Sequence, residues 1–151
     1  MGMDVYGKSG NYFRANMWSW RPINAIIDIV NDKHELGLNT DGFAYNDGAG
    51  IDNQEQCSIL ADKIEELLDT EELEGSDLIY INLGGWYCDD KFHYDDQIAE
   101  SLNLDYPIGS FLYSSVVGPE GEVYKPSHST DVEHIKEFID FLRTCDGFKI
   151  Y

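Results

Sequence analysis

The chain has 151 residues, and its ten Lys or Arg residues against 29 Asp or Glu residues give a formal net charge of −19. Apolar residues make up 42% and aromatic residues 13%, which excludes an intrinsically disordered acidic tail and predicts one domain over residues 1–151. The negative charge argues against direct binding to nucleic acid or to anionic membranes, because both need Lys and Arg.

Short apolar segments alternate with turn signals at the start of the chain. Residues 3–6 predict a strand that ends at Gly7, and Pro22 is expected in the first turn of a helix. That strand and a terminal strand over residues 148–151 are both short and apolar, so we expect them to pair. The apolar face of the helix carries Ile23, Ile26, Ile27 and Val30.

A loop rich in Gly, Asn and Asp over residues 37–53 precedes the second predicted helix. Asp52 is expected to cap this helix, with Glu55 as its capping-box partner, and the helix is expected to end near Leu68. Its apolar residues fall on one face, and its acidic residues fall on the opposite face. Acidic residues are therefore expected on the outer face of this helix and in the loop after it.

The middle of the chain predicts a strand and then a less regular region. Residues 78–83 indicate a strand that is bounded by Gly84 and Gly85. Residues 86–94 are ambiguous, and residues 95–104 indicate a short helix.

The C-terminal part predicts a hairpin and then a strongly signalled helix. Residues 109–117 and 122–125 are expected to pair around a turn. Thr130 is expected to cap the last helix, with Glu133 in its capping box and Gly147 in the left-handed position after it. Helices and strands mix without regular βαβ alternation, so we predict an α+β fold of about three helices packed on a small, mostly antiparallel sheet.

Several stretches resemble a known group of proteins. The chain reads GMDVYG at residues 2–7, YFRANMWSWRP at 12–22 and VEHIKEFIDFLRTCDGF at 132–148. There, and in the loop 46–50, it resembles small acidic proteins of bacteriophages and bacterial genomes that have no established activity. The resemblance implies a phage setting, and hence the host cytoplasm as location. Some of these proteins carry a Cys-x-x-Cys element, where this chain has only Cys88.

Acidic residues are unevenly distributed, which gives the first functional hypothesis. Residues 1–24 carry three basic residues and one acidic residue, whereas residues 25–151 carry seven basic and 28 acidic residues. Carboxylates along a helix can replace phosphates against Arg and Lys. We therefore predict a non-enzymatic acidic protein that binds and inhibits a basic, nucleic-acid-handling or defence protein of the host by DNA mimicry or similar charge complementarity; the alternative is a solvated acidic surface. The predicted partner-binding residues are Glu65, Glu66, Asp69, Glu71, Glu72, Glu74, Asp89, Asp90, Asp95 and Asp96.

Arginines and aromatic residues near the N-terminus give a second hypothesis, a small-ligand protein for nucleotides or a minor enzyme. Such residues form cages and stacking platforms. The competing interpretation is a core cluster with Arg14 or Arg21 paired to Asp4, in which one of Trp18 and Trp20 is buried and the other is exposed. The alternative ligand site comprises Arg14, Trp18, Trp20, Arg21, Asn46 and Asp47.

Motifs for metals, cofactors and catalysis are weak, so we predict no cofactor, no metal and no catalytic residue. The loop 46–50 fits neither a phosphate-binding motif nor an EF-hand. Cys88, Asp89, Asp90 and His93 are close in sequence but lack a second pair of ligands. Three cysteines are too few for a disulfide scaffold and indicate a reducing cytoplasm. A third interpretation is a structural homo-oligomer, such as a homodimer through the less charged N-terminal face.

Overall fold

The structure is a computed structural model in which residues 2–94, 96, 111–112 and 115–151 are described. The fold is α+β, as predicted, and its strands form two antiparallel sheets rather than one. Most of the predicted helix over residues 95–104, and part of the strand predicted over 109–117, lie outside the described residues. The described part of the chain has three long helices, which are α1 (Met17–Lys33), α2 (Gln54–Thr70) and α3 (Val132–Thr144).

The first sheet joins the two ends of the chain. Its strand order is β2-β1-β9-β3, and Val5 of β1 pairs with Phe13 of β2 on one side and with Ile150 of β9 on the other. The predicted pairing of the N-terminal and C-terminal strands is therefore confirmed. The strands are β1 (Gly2–Gly7), β2 (Tyr12–Asn16), β3 (Gly50–Ile51) and β9 (Phe148–Ile150).

The second sheet is built around β4. Strand β8 pairs with one edge of β4, while β5 and β6 follow one another along the other edge. Val116 pairs with Tyr124, which confirms the predicted hairpin where the structure describes it. The strands are β4 (Leu78–Cys88), β5 (Lys91–Tyr94), β6 (Phe111–Leu112), β7 (Val116–Val117) and β8 (Val123–Asp131).

Strand β4 continues through Gly84 and Gly85, where the sequence predicted its end. Gly84 has φ +95°, and the register with β8 shifts between Ile81 and Trp86, which is a bulge. At Gly85 a Cβ atom would lie 2.0 Å from the ring of Phe92 on β5. Gly84 therefore permits the bulge, and Gly85 leaves space for the ring of Phe92. Neither glycine ends the strand.

Each helix begins at a polar cap, and the caps of α2 and α3 differ from the predicted ones. Asn16 caps α1, so Pro22 lies inside that helix and not in its first turn. Asn53 caps α2 instead of Asp52, and Asp131 caps α3 instead of Thr130. In each case the capping oxygen accepts a hydrogen bond from the backbone N–H three residues further on.

One hydrophobic core takes side chains from all three helices and from both sheets. The rings of Trp20, Phe138 and Phe148 meet in its centre at centroid distances of 5.8 and 6.3 Å. Helix α1 contacts strands of both sheets, and α2 packs on α3. Within the described residues, no helix has the length and hydrophobicity that crossing a membrane requires.

Candidate partner-binding surface

The acidic residues predicted to bind a partner belong to two segments, one on α2 and the loop that leads to β4, and one just after β4. Asp77 precedes the first residue of the strand, and Asp89 follows its last residue. Eleven residues at roughly 3.3 Å each separate these ends by about 35 Å. The structure thus divides the predicted residues into two groups. Asp96 is exposed, and Asp95 lies outside the described residues.

Acidic residues in the middle of α2 form ion pairs within the molecule. Arg143 of α3 donates a hydrogen bond of 2.7 Å to Asp62 and another to Glu65. The hydrogen bond to Asp62, and then that to Glu65, raise the pKa of the Arg143 guanidinium. Glu66 pairs with Lys63 at 3.3 Å. Glu65 therefore links α2 to α3, whereas Glu66 pairs within α2, so each already has a basic partner in this chain.

Four acidic side chains at the C-terminal end of α2 make no ion pair with any residue that the structure describes. We call them the acidic turn, and all four are exposed. Asp69, Glu72 and Glu74 line an open hollow of about 430 Å³, in which Lys136 is the basic lining residue. The acidic turn consists of Asp69, Glu71, Glu72 and Glu74.

The backbone of the acidic turn forms a Schellman motif that ends α2. The N–H of Leu73 donates to the carbonyl oxygen of Leu68 at 3.0 Å, and that of Glu72 donates to Asp69 at 3.1 Å. Glu72 has φ +56°, a left-handed conformation in which glycine is favoured. The last turn of α2 has no basic residue, although the negative end of a helix favours cations. Helix stability therefore does not explain the acidic residues at the C-terminal end of α2.

Helix α1 ends in the same motif with a different charge balance. Leu36 donates to Asn31 at 3.1 Å, and Glu35 has φ +50°. However, its last turn contains Lys33, which suits the helix dipole. The end of α1 is therefore a natural internal control for the acidic turn.

Asp89 and Asp90 form the tip of the β4–β5 hairpin, which we call the hairpin tip. Their φ values are +50° and +64°, as in a type I′ turn, and Asp is among the few residues that accept this conformation. Burial, and then the charge of Asp89, raise the pKa of the adjacent Cys88 thiol. Among the residues it describes, the structure brings together no group of three potential metal ligands, whether from Cys88, the hairpin tip and His93 or elsewhere.

The residues of the alternative ligand site do not form one cage. The Trp20 indole is 1% exposed and donates to the carbonyl oxygen of Phe43 at 2.7 Å, whereas Trp18 is 55% exposed and packs on His128 at 4.7 Å. One tryptophan is thus buried and the other exposed, as the core interpretation predicted. Arg14 lies 3.7 Å from Asp4 across the β1–β2 hairpin.

What remains of this alternative site is a small hollow of about 190 Å³. Trp20, Arg21 and Asn46 line it, while Arg14, Trp18 and Asp47 do not. Burial, and then the charge of Arg21, lower the pKa of His128. The hollow is smaller than a usual ligand pocket and gives little support to a nucleotide site.

A pair of thiols lies inside the core, where no substrate reaches it. Cys57 of α2 and Cys145 after α3 are both fully buried and hydrogen-bonded to one another. This hydrogen bond, and then burial, raise the pKa of Cys57 far above its usual range. The buried thiols act as packing groups.

Sequence reasoning missed one polar cavity, which lies where the first turns of α1 and α3 meet the start of β4. Its volume is about 570 Å³, and it is lined by residues from three separate stretches of the chain. Thr130 was predicted only as a helix cap, and His134 was not assigned a role. The signal that could have identified them, an unpaired buried hydroxyl, exists only in the folded chain.

No protein family, curated protein or solved structure matches the chain. Function is therefore inferred from the geometry and charge of the chain itself.

Proposed function

We propose that this chain is a non-enzymatic interaction protein whose acidic turn binds a basic surface of a partner protein. The observation that carries the proposal is the concentration of four exposed acidic residues at the negative end of α2, without an ion pair to any residue that the structure describes. Asp69, Glu71 and Glu72 lie in or beside the last turn of α2, where an acidic residue is unfavourable for the helix by about 0.3–1 kcal/mol at low ionic strength. Residues that oppose local stability in this way are typical of functional sites.

The partner chemistry follows from the charge. Arg and Lys side chains would pair with the acidic turn, and Arg can do so through two parallel hydrogen bonds to one carboxylate. The resemblance to small acidic phage proteins favours a host protein that handles nucleic acid, whose channel normally accepts phosphates. The ion-paired Glu65 and Glu66 narrow the binding surface to the end of α2.

The experiment is affinity capture from a bacterial lysate at about 50 mM and about 500 mM NaCl, with identification by mass spectrometry. The test variant is D69K/E71K/E72K. The matched control is D28K/D32K/E35K, which makes the same change of charge on exposed residues at the end of α1. We expect one basic protein to be captured at low salt by the wild type and by the control, and to be lost with the test variant.

A third variant, D89K/D90K, tests the hairpin tip, and we expect it to retain the partner. Equal capture by all variants would overturn the proposal. If the test variant and the α1 control both lose the partner, net charge alone explains its capture. That result would also overturn the proposal. The proposal would also be overturned if the wild type captured no protein at low salt.

A further inference from the structure

Strand β2 leaves one edge of the first sheet open to another strand. It is the last strand on its side of the sheet, and its five residues pair with β1 in unbroken register. It contains neither a proline nor a bulge, which are features that commonly protect edge strands. The strand at the opposite edge, β3, has only two residues. The edge of β2 is therefore the longer of the two edges that this sheet offers.

The backbone groups on the outer edge of β2 belong to Tyr12 and Arg14. Asp4 of β1 exchanges hydrogen bonds of 3.1 and 2.7 Å with Tyr151, so its backbone groups point away from β2. Hydrogen-bonded and non-hydrogen-bonded pairs alternate along an antiparallel ladder. Arg14 lies opposite Asp4, so Arg14 and Tyr12 point their N–H and C=O groups away from β1. No hydrogen bond from the part of the chain that the structure describes reaches these four groups.

The side chains beside this edge are exposed and carry little negative charge. Tyr12 is 50% exposed and the Arg14 side chain is 67% exposed, whereas Phe13 between them is buried against α3. The edge also belongs to residues 1–24, which carry three basic residues and one acidic residue. Two copies with a charge of −19 each therefore repel one another least when they meet through this part of the chain.

A second copy of β2 is complementary to this edge in one register. A symmetric dimer needs a self-complementary contact, which two antiparallel copies of one strand can supply. With the two-fold axis at Phe13, Tyr12 of each copy lies opposite Arg14 of the other, and both present outward backbone groups. The guanidinium then lies beside a tyrosine ring, which attracts cations.

The neighbouring registers are less favourable. With the axis at Arg14, the two arginines would lie opposite one another and repel. With the axis at Tyr12, Arg14 would lie opposite Gly10, which has φ +97° and belongs to the turn before the strand. The charges and the turn therefore select the register that is centred on Phe13.

We propose that two copies of this chain form a symmetric dimer in which their β2 strands pair antiparallel, so that the two first sheets become one continuous sheet. Backbone hydrogen bonds join Tyr12 of each copy to Arg14 of the other. Because few residues take part, the interface is small, and we expect monomer and dimer to exchange at micromolar concentrations. The dimer uses no residue of the acidic turn, so it stands whether or not the acidic turn binds a basic partner.

Sedimentation equilibrium of the full chain at about 5–500 µM protein, in about 50 mM and about 500 mM NaCl, measures the association. We expect a monomer–dimer equilibrium that shifts toward the dimer at the higher salt, because salt screens the repulsion between two acidic chains. A dimer that dissociates as the salt rises would be held by opposite charges, and would overturn the proposal. A monomer at every concentration would also overturn it.

Amide hydrogen exchange, followed by NMR at low and high protein concentration, identifies the interface. The N–H groups of Tyr12 and Arg14 should exchange more slowly as the dimer forms. Those of Phe13 and Ala15 are bonded to β1 in the monomer, so their exchange should not depend on concentration. A dimer that leaves the exchange of Tyr12 and Arg14 unchanged would use another surface, and would overturn the proposal.

Tyr12→Lys places a second positive charge opposite Arg14 of the other copy. The new ammonium group can pair with Asp4, which accepts a hydrogen bond from the Tyr12 hydroxyl, so the fold is preserved. We expect the dissociation constant to rise about tenfold, since two like-charge pairs form in each dimer. Tyr94→Lys makes the same change on an exposed tyrosine of β5, at the edge of the second sheet, and should dimerise like the wild type.

The double variant Tyr12→Lys/Arg14→Glu tests the register directly. It places opposite charges in both cross-strand pairs, so its dissociation constant should return to within about threefold of the wild type. Melting temperatures show that all three variants fold. The proposal would be overturned if the double variant dimerised as weakly as Tyr12→Lys, or if Tyr94→Lys weakened the dimer to the same extent.

Discussion

The acidic turn and the hairpin tip carry the same kind of side chain in the same left-handed backbone conformation, yet the fold explains only one of them. At the hairpin tip, Asp89 and Asp90 occupy the two central positions of a tight turn, where Asp is well accepted. In the acidic turn, Glu72 occupies a position that favours glycine, at a helix end that favours cations.

The difference shows how to interpret an acidic sequence. A carboxylate that suits its turn needs no further function, whereas one that opposes its local structure is a candidate for a functional role. Net charge alone cannot separate these cases, since both clusters contribute to the charge of −19. The comparison therefore supports the proposal that the end of α2 binds a partner, and the contrast between the two clusters can be tested by stability measurements that need no partner.

The largest expected effect is a gain in stability when the acidic turn is reversed. D69K/E71K/E72K should raise the free energy of unfolding by about 1–2 kcal/mol at low ionic strength, because lysines suit the negative end of α2. Urea-induced unfolding of the purified protein measures this change. D89K/D90K should give no gain, since Lys accepts a positive φ less well than Asp does. A loss of stability in the first variant would contradict our interpretation of the acidic turn.

A smaller gain in stability is expected when Glu72 is replaced by glycine. Glu72→Gly should stabilise the fold by about 1 kcal/mol, because it relieves the left-handed strain of a residue with a Cβ atom. Glu35→Gly, in the same motif of α1, should give a similar gain in thermal unfolding. Asp90→Gly should give a smaller one. Equal gains at Glu72 and Asp90 would remove the distinction between the two regions.

The smallest expected effect is a change in the pKa of Cys88, next to the hairpin tip. Burial and then Asp89 raise the pKa of Cys88, so Asp89→Asn should lower that pKa and accelerate alkylation of Cys88 at a given pH. The rate of iodoacetamide labelling at Cys88 across pH 7–10, followed by mass spectrometry, measures the shift. Glu72→Gln is the control and should leave the rate unchanged. An unchanged rate in Asp89→Asn would show that the charge does not reach the thiol.

Local patterns predicted the helices better than their ends. The apolar face of α1 and the existence of α2 and α3 followed from spacing, because a helical stripe is repeated over several turns. The caps of α2 and α3 lie one residue beyond the predicted ones. Asn53 reaches the N–H of Gln56, and Asp131 reaches that of His134, whereas Asp52 and Thr130 were equally suitable by residue type.

Tertiary contacts explain what the sequence could not. The ring of Phe92 requires Gly85, and no local pattern distinguishes this use of glycine from a turn. Glu65 forms an ion pair with Arg143, which is 78 residues away, so its charge could not be assigned from neighbours in the sequence. The polar cavity likewise combines Asn16 with Leu78 and Glu137.

Strand β9 has a consequence for biosynthesis. It lies between β1 and β3, and within the described residues it is the only strand that pairs with β3. Because residues 148–150 are translated after everything else in the first sheet, β1 keeps an open edge until they emerge from the ribosome. Pairing across almost the whole chain is slow, and an open edge recruits other strands. Nascent chains that stall before β9 should therefore aggregate or be degraded, which couples the survival of each molecule to the translation of β9.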